Sequence, residues 1–298
     1  MRYESKIIPH EIIIKKTLVD FFSEFNHIKI VKTAKRGKIL ILDDEIQFAE
    51  YDEYVYHEMF CFPALFSHLN PERVLVIGGG DLLLARQILK HPGIESVTII
   101  ELDAYVTKFC LKHFRSLIGG VIKDPRLRIE HKDGNVFLQE NQNLYDLIYV
   151  DLPDEKRNCK FVLEEKFYHN LKRSINSNGI ICAQTGNIDK IYFSLHSRKA
   201  RKKYFNNDSN YVLNYYHFFE KYFKSVILFH EHVPSFFGSW SFILSSKDRD
   251  LKSINREQLN NYYNLINKDT LYYSPDYHES IFFQPKILQP TNQSKIMI

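Results

Sequence analysis

The stretch that most constrains the fold is RVLVIGGGDLLLARQILKHPGIESVTIIELD, residues 73–103. Val74–Ile77 is a short apolar run rich in β-branched residues, stopped by three glycines, and Leu82–Leu89 after it has the apolar spacing of a buried helix face. A second apolar run, Val97–Ile100, ends in Glu101 and Asp103. The pattern predicts a strand, a glycine turn, a helix and a second strand with an acid at its carboxyl end. In such a unit glycines such as Gly78 and Gly80 let the backbone approach a ligand closely, and the acid can take both hydroxyls of a ribose.

Asp81 separates two kinds of nucleotide site. A pyrophosphate site wants helix N–H groups and no nearby anion, yet Asp81 follows the glycines directly. A carboxylate there repels phosphate and attracts a cation. The sequence therefore favours a nucleoside with an ammonium or sulfonium tail, such as S-adenosylmethionine or its decarboxylated form, over NAD. The competing reading is that Asp81 only caps the helix.

Upstream, Ile12–Val19, Ile28–Val31, Lys38–Leu42 and Ile46–Ala49 read as strands, the last two forming a hairpin around Asp43-Asp44. Residues 1–53 are thus expected to form a small β domain, and 54–298 a catalytic domain opening with a helix over Tyr54–His68. Downstream of Asp103, helices are expected over Val106–Phe114 and Phe161–Ser174. Strands are expected over Arg126–Glu130, Leu147–Val150 and Gly179–Gln184. The recurrence of strands and helices predicts an α/β fold, a Rossmann-like doubly wound sheet of the class I methyltransferase type, with its ligand above the carboxyl ends of the strands. Asp81, Glu101, Asp133, Asp151, Asp154 and Gln184 all fall at that edge, which points to one shared site.

Composition narrows the partners. The chain has 298 residues, 44% of them hydrophobic, enough to bury a full core, and no run approaches the roughly 20 apolar residues of a membrane span. The charged start, MRYESKIIPHE, lacks the apolar core of a signal peptide, so a soluble cytoplasmic protein is expected. Net charge is +4, too small to imply nucleic acid, and the basic run Ser197–Lys203 reads as a solvated insertion. Cys61, Cys110, Cys159 and Cys182 are scattered without CxxC spacing and read as buried reduced thiols. His230 and His232 alternate on a strand with no third ligand in view, so no metal site is expected.

The run DEYVYHEMFCFPALFSHLNPERVLVIGGGD at Asp52–Asp81, together with LDDEIQFAEYDE before it and the segments DLPDE, KFYHNLKRSINSNGIICAQ and LYYSPDYHESIFFQP after it, resembles the polyamine aminopropyltransferases, the spermidine synthase family. The resemblance covers about His27 to Pro285. Within the family the chain is most similar to the thermospermine synthase branch, through YHE at Tyr56–Glu58, DL-x-D at Asp151–Asp154 and VPS…W at Val233–Trp240. The resemblance implies that Gln47 and Asp81 hold the tail of decarboxylated S-adenosylmethionine, Glu101 its ribose and Asp133 its adenine. It further implies Asp151, aided by Tyr56, as the catalytic acid. His57, Asp154 and Gln184, with Phe236 and Trp240, are implied to line the amine-acceptor channel. The donor is a co-substrate; no tightly bound cofactor is implied, and the assembly is expected to be a homodimer.

Three departures from the family pattern stand out. Leu82-Leu83 replace the usual small residues after the acid, and need space beside the ligand tail while disfavouring positive φ. Glu155 replaces a proline, beside a basic gate loop at Lys156–Lys160. Phe236 or Phe237 replaces a tyrosine. These keep open intact S-adenosylmethionine as a donor of methyl or aminocarboxypropyl groups, and a family member that has lost turnover.

Overall fold

The structure is a computed structural model that describes residues 2–3, 12–153, 159–189, 211–251 and 255–283. Strands β1 (Arg2–Tyr3), β2 (Ile12–Phe22), β3 (His27–Thr33), β4 (Lys38–Leu42) and β5 (Glu45–Ala49) form one antiparallel sheet in sequence order. The β4–β5 turn is the expected hairpin: Asp43 and Asp44 both take positive φ, 48° and 68°, which short polar side chains tolerate. On β4 the side chains alternate between two cores, as the strand period requires. Leu40 and Leu42 join the main core, while Ile39 and Ile41 pack with Ile12, Val31 and Ala49.

Helix α1 (Glu53–Ser67) follows, and every residue in it except Tyr54 is buried. A helix enclosed on all sides should be apolar throughout. This one carries Glu53, His57 and Glu58, so each needs a partner inside the protein. Glu58 finds three: its carboxylate accepts the backbone N–H groups of Leu271 (2.9 Å), Tyr272 (2.8 Å) and Tyr273 (2.9 Å), fixing the C-terminal segment against α1.

The second sheet has seven strands, β6 (Arg73–Gly78), β7 (Ser96–Glu101), β8 (Leu127–His131), β9 (Tyr145–Asp151), β10 (Ile175–Asn187), β11 (Ser225–Val233) and β12 (Gly238–Ser246), in the order β11-β12-β10-β9-β6-β7-β8. β6 to β10 are parallel, and β12 runs antiparallel to both β10 and β11. The fold is thus the expected doubly wound α/β sheet, closed at one edge by an antiparallel hairpin. Strand order reverses between β6 and β9, the switch point where such sheets open a ligand crevice. Helices α2 (Leu83–Ile88), α3 (Ala104–His113), α4 (Arg115–Ile118), α5 (Gly134–Glu140), α6 (Glu165–Ser174) and α7 (Tyr211–Tyr222) accompany the strands, and α8 (Arg256–Leu265) and α9 (Pro275–Ser280) end the described chain.

The helix expected over Phe161–Ser174 is broken. Lys160–Leu163 forms a 3-10 turn, Glu164 is extended, and α6 starts at Glu165; the Tyr168 hydroxyl donates to the Val162 carbonyl at 2.7 Å and folds the turn back on the helix. The two sheets are tied at β7's end. Asp103 caps α3 through Tyr105 N and accepts hydrogen bonds from Ser23 and Asn26 in the β2–β3 turn, while Phe21 packs on Tyr105 and Phe109. The four cysteines are buried, as expected. Among the described residues no helix is long and apolar enough to cross a membrane.

Candidate active site

The glycine turn is shaped by what crowds it. Gly78 has φ +86°, and a Cβ there would lie 2.0 Å from the Asp151 carbonyl oxygen; a Cβ on Gly80 would lie 2.6 Å from the Glu101 side chain. Both positions therefore exclude other residues. The Gly80 N–H donates to Glu101 Oε2 at 3.0 Å and the Asp103 N–H to Oε1 at 2.8 Å. Burial nevertheless outweighs these two bonds, and with the negative charges of Asp103 and Asp81 nearby it holds the Glu101 carboxyl up, to about 7.

Asp81 contacts both the start of α2 and a basic side chain. One oxygen accepts the Leu83 N–H at 2.9 Å, capping the first turn of α2, while the other lies 3.8 Å from His57 Nε2. The leucines after it do not crowd the crevice: Leu82 and Leu83 are both fully buried in the main core. Leu82 takes the left-handed conformation (φ 70°) to do so. That backbone costs a non-glycine residue about 1–2 kcal/mol, and burying a leucine returns about 1.5–3 kcal/mol.

His57 and its surroundings form a buried ion chain. His57 Nδ1 donates to the Glu53 carbonyl oxygen at 2.7 Å and lies 3.1 Å from Glu53 Oε2, and Arg86 grips Glu53 with bonds of 2.8 and 2.9 Å while also donating to the Leu117 carbonyl. Burial opposes charge on the imidazole, but Asp81 and Glu53 overcome it and raise His57 to about 10. Burial likewise opposes charge on Glu53, and His57 with Arg86 brings it down to about 2.

Asp151 sits at the end of β9, opposite Gly78 on β6. Its carboxylate accepts the Tyr56 hydroxyl proton at 2.8 Å. Desolvation, then the charge of Asp81, raises it to about 7 against the opposing pull of His57 and the Tyr56 bond. Tyr56 packs edge-on against Phe236 (5.6 Å), which leans on Trp240 (4.7 Å). The Trp240 indole donates to Gln184 Oε1 at 3.0 Å, and the Gln184 amide donates to the Leu152 carbonyl. Arg36 of the β3–β4 turn donates to the Pro234 carbonyl and stacks over Phe237, and Asp52, just before α1, accepts the Ser235 N–H, so that turn and the start of α1 fix this aromatic wall.

The structure therefore gathers Gly78, Gly80, Asp81, Glu101, Asp151, Tyr56 and His57 around the switch point, with Gln184, Phe236 and Trp240 beside them. Asp133 stands after β8, where it caps α5 through Asn135 and Val136. Gln47 is half-buried on β5, with its amide on the Glu45 carbonyl. Asp154 and the loop after it, like the basic run at 197–203, lie outside the described residues. The partners Glu53 and Arg86 carried no expectation, and Glu58 none beyond its place in the YHE motif; an i, i+4 Glu–His pair on a largely apolar helix was the signal for Glu53. A groove of about 710 Å³ touches Glu53 and Arg86 from behind, away from the carboxylates at the strand ends.

Residues 53–254 match the spermine/spermidine synthase domain, and residues 2–50 match the spermidine synthase tetramerisation domain. The chain belongs to the spermine/spermidine synthase family. The polyamine aminopropyltransferase of Bacillus subtilis (strain 168) is 30% identical over 276 residues, covering 92% of this chain and 91% of that protein. That of Clostridium tetani (strain Massachusetts / E88) is 32% identical over 277 residues, covering 93% and 90%. The fold matches a spermidine synthase solved in complex with the transition state analogue AdoDATO, with a TM-score of 0.83, 24% identity, and 99% and 93% of the two chains covered. It also matches the spermidine synthase of Thermotoga maritima, with a TM-score of 0.80, 24% identity, and 99% and 92% covered.

Proposed function

We propose that this chain transfers the aminopropyl group of decarboxylated S-adenosylmethionine to an amine acceptor, releasing methylthioadenosine. The observation that carries the reading is the pairing of Asp151 with Tyr56 beside Asp81: a carboxylate with a neutral hydroxyl donor, next to an acid suited to a cationic tail. In this reading Glu101 takes the ribose hydroxyls, Asp133 the adenine, and Asp81 with Gln47 the ammonium tail, while Gly78 and Gly80 let the backbone close on the ligand. Asp151, oriented by Tyr56, accepts a proton from the acceptor ammonium. The freed nitrogen lone pair attacks the carbon next to sulfur, the carbon–sulfur bond breaks, and its electron pair leaves on sulfur as a neutral thioether. A sulfonium carbon is already electrophilic, so alignment and deprotonation supply most of the catalysis.

Phe236 and Trp240 supply apolar wall for methylenes. Asp154 is assigned to a distal ammonium, and Gln184 holds Trp240 in place. This alternation suits a triamine such as spermidine, as in the thermospermine branch, because each desolvated ammonium needs an acceptor. Residues 1–53 and 54–298 are taken as the two units. The first is the surface on which copies of the chain pair, as a homodimer or within the tetramer that the matched domain's description names. A soluble cytoplasmic enzyme is consistent with this role.

The test is competition between putrescine, spermidine and an amino-acid amine with either donor, read by mass spectrometry. We expect methylthioadenosine as product and the highest specificity constant for spermidine. S-adenosylhomocysteine would replace the reading with methyl transfer, and preference for the carboxylate-bearing amine would defeat the polyamine acceptor.

A further inference from the structure

His57, which the resemblance assigns to the acceptor channel, lies 3.8 Å from Asp81, the acid assigned above to the donor's tail, and its geometry fixes where its protons are. A carbonyl oxygen can only accept, so the 2.7 Å contact with the Glu53 carbonyl keeps a hydrogen on Nδ1 at all times. The ring's only variable proton is therefore on Nε2, which faces Asp81 at 3.8 Å, an ion-pair distance too long for a hydrogen bond. His57 is 1% exposed, so water does not stabilise its charge; the protein must. Among the described residues the charged groups around it are Glu53 on its own helix, Asp81 on the glycine turn, Asp151 on β9, and Arg86 on α2, which acts through Glu53. Tyr56 and Phe48 contact the ring without charge.

We propose that His57 is a positioning residue that holds Asp81 through a proton on Nε2, and that a cationic donor tail reaches Asp81 only by displacing that proton to solvent. This rests on the donor assignment above. The displaced state is well built: Nδ1–H stays on Glu53, and the bare Nε2 becomes an acceptor directed at the incoming ammonium. The switch also explains the ion chain. Glu53 and Arg86 hold the ring in one orientation through the change, so that protonation alters only the side facing the ligand. With the proton in place, His57 and the donor's ammonium are like charges drawn to the same Asp81 carboxylate, which disfavours holding both there. Methylthioadenosine, which has no ammonium, makes no such demand.

Linkage makes this measurable. His57 is charged up to about 10, whereas Asp151 is already mostly ionised above about 7. At pH 8 donor binding should therefore release protons from His57. Calorimetric titration in two buffers of different ionisation heat counts them: we expect about one proton per decarboxylated donor bound and none for methylthioadenosine. His57→Gln should bind methylthioadenosine as the wild type does and release no proton with the donor, and Asp151→Asn should release as much as the wild type. Donor binding without proton release, release that persists in His57→Gln, or release lost in Asp151→Asn each overturns the proposal. If His57→Gln does not fold, the wild-type imidazole decides by NMR at pH 8: it should be charged in the free enzyme and neutral with donor bound, and an imidazole unchanged by the donor overturns the proposal. Failure of both ligands to bind would defeat the donor assignment itself, and this proposal with it.

Discussion

Glu53, the first residue of α1, and Asp151, which meets the same helix through Tyr56, are two desolvated carboxylates pushed in opposite directions. Glu53 receives two bonds from Arg86 and a third contact from His57, which take it down to about 2. Asp151 receives a neutral hydroxyl and faces another acid, which leave it up at about 7. The difference separates a compensated charge from an uncompensated one. A buried ion compensated in full is inert, because nothing a substrate offers can improve on its partners. A carboxylate left short of compensation has free energy to gain from a cation and affinity to spare for a proton.

The largest effect should come from breaking the compensated side. Arg86→Met leaves Glu53 buried with His57 as its remaining charged partner and strips the Leu117 carbonyl of its donor. Removing one member of a buried pair costs about 3 kcal/mol or more, read as a lower denaturation midpoint at unchanged slope. Asp151→Asn should instead leave stability unchanged or raise it, since it removes a charge that the fold does not compensate. Equal losses in the two variants would erase the distinction.

Next comes the uncompensated side. Asp151→Asn keeps the shape and the Tyr56 bond but can no longer accept a proton. Turnover should fall about a hundredfold or more while donor affinity stays near normal, as measured by single-turnover kinetics and calorimetry. Near-normal turnover would remove Asp151 from the chemistry.

This division was only partly visible in the sequence. Asp81, Glu101 and Asp151 were legible because apolar runs ending in acids mark the carboxyl edge of a parallel sheet, and the glycines mark where its ligand enters. Glu58 was visible as part of a motif but not as the anchor of Leu271–Tyr273, because backbone N–H groups leave no trace in residue identity. Asp103 ended an apolar run just as Glu101 did, yet it binds Ser23 and Asn26 of the first sheet, 80 and 77 residues away in the chain. Two acids with the same local pattern were sorted by tertiary contacts alone. Leu82 failed for another reason: propensity argues against a leucine at positive φ, and burial of its side chain overrode propensity.

The smallest effect is also the one in which the two carboxylates should pull against each other. Asp151 binds its proton more tightly in the folded chain than in the unfolded one, where its carboxyl returns to the ordinary 3.8. Between about pH 4 and 7 the folded state therefore holds the extra proton, so stability must fall as pH rises through that window. Glu53 has the opposite sign. Its folded carboxyl lies near 2 against 4.5 unfolded, so its contribution is complete above about 4.5 and drains away as pH falls toward 2. The unliganded protein should accordingly be most stable near pH 4–5 as far as this pair is concerned, with Glu101 tilting the upper limb the same way as Asp151. Partial exposure of Asp151 keeps its share to about 2 kcal/mol or less. Thermal midpoints measured across pH 3–8 should decline on the upper limb in the wild type and decline less steeply in Asp151→Asn, while the acid limb is shared by both. An upper limb that is unchanged in Asp151→Asn would mean that Asp151 is already ionised in the free enzyme, and the contrast with Glu53 would then rest on geometry alone.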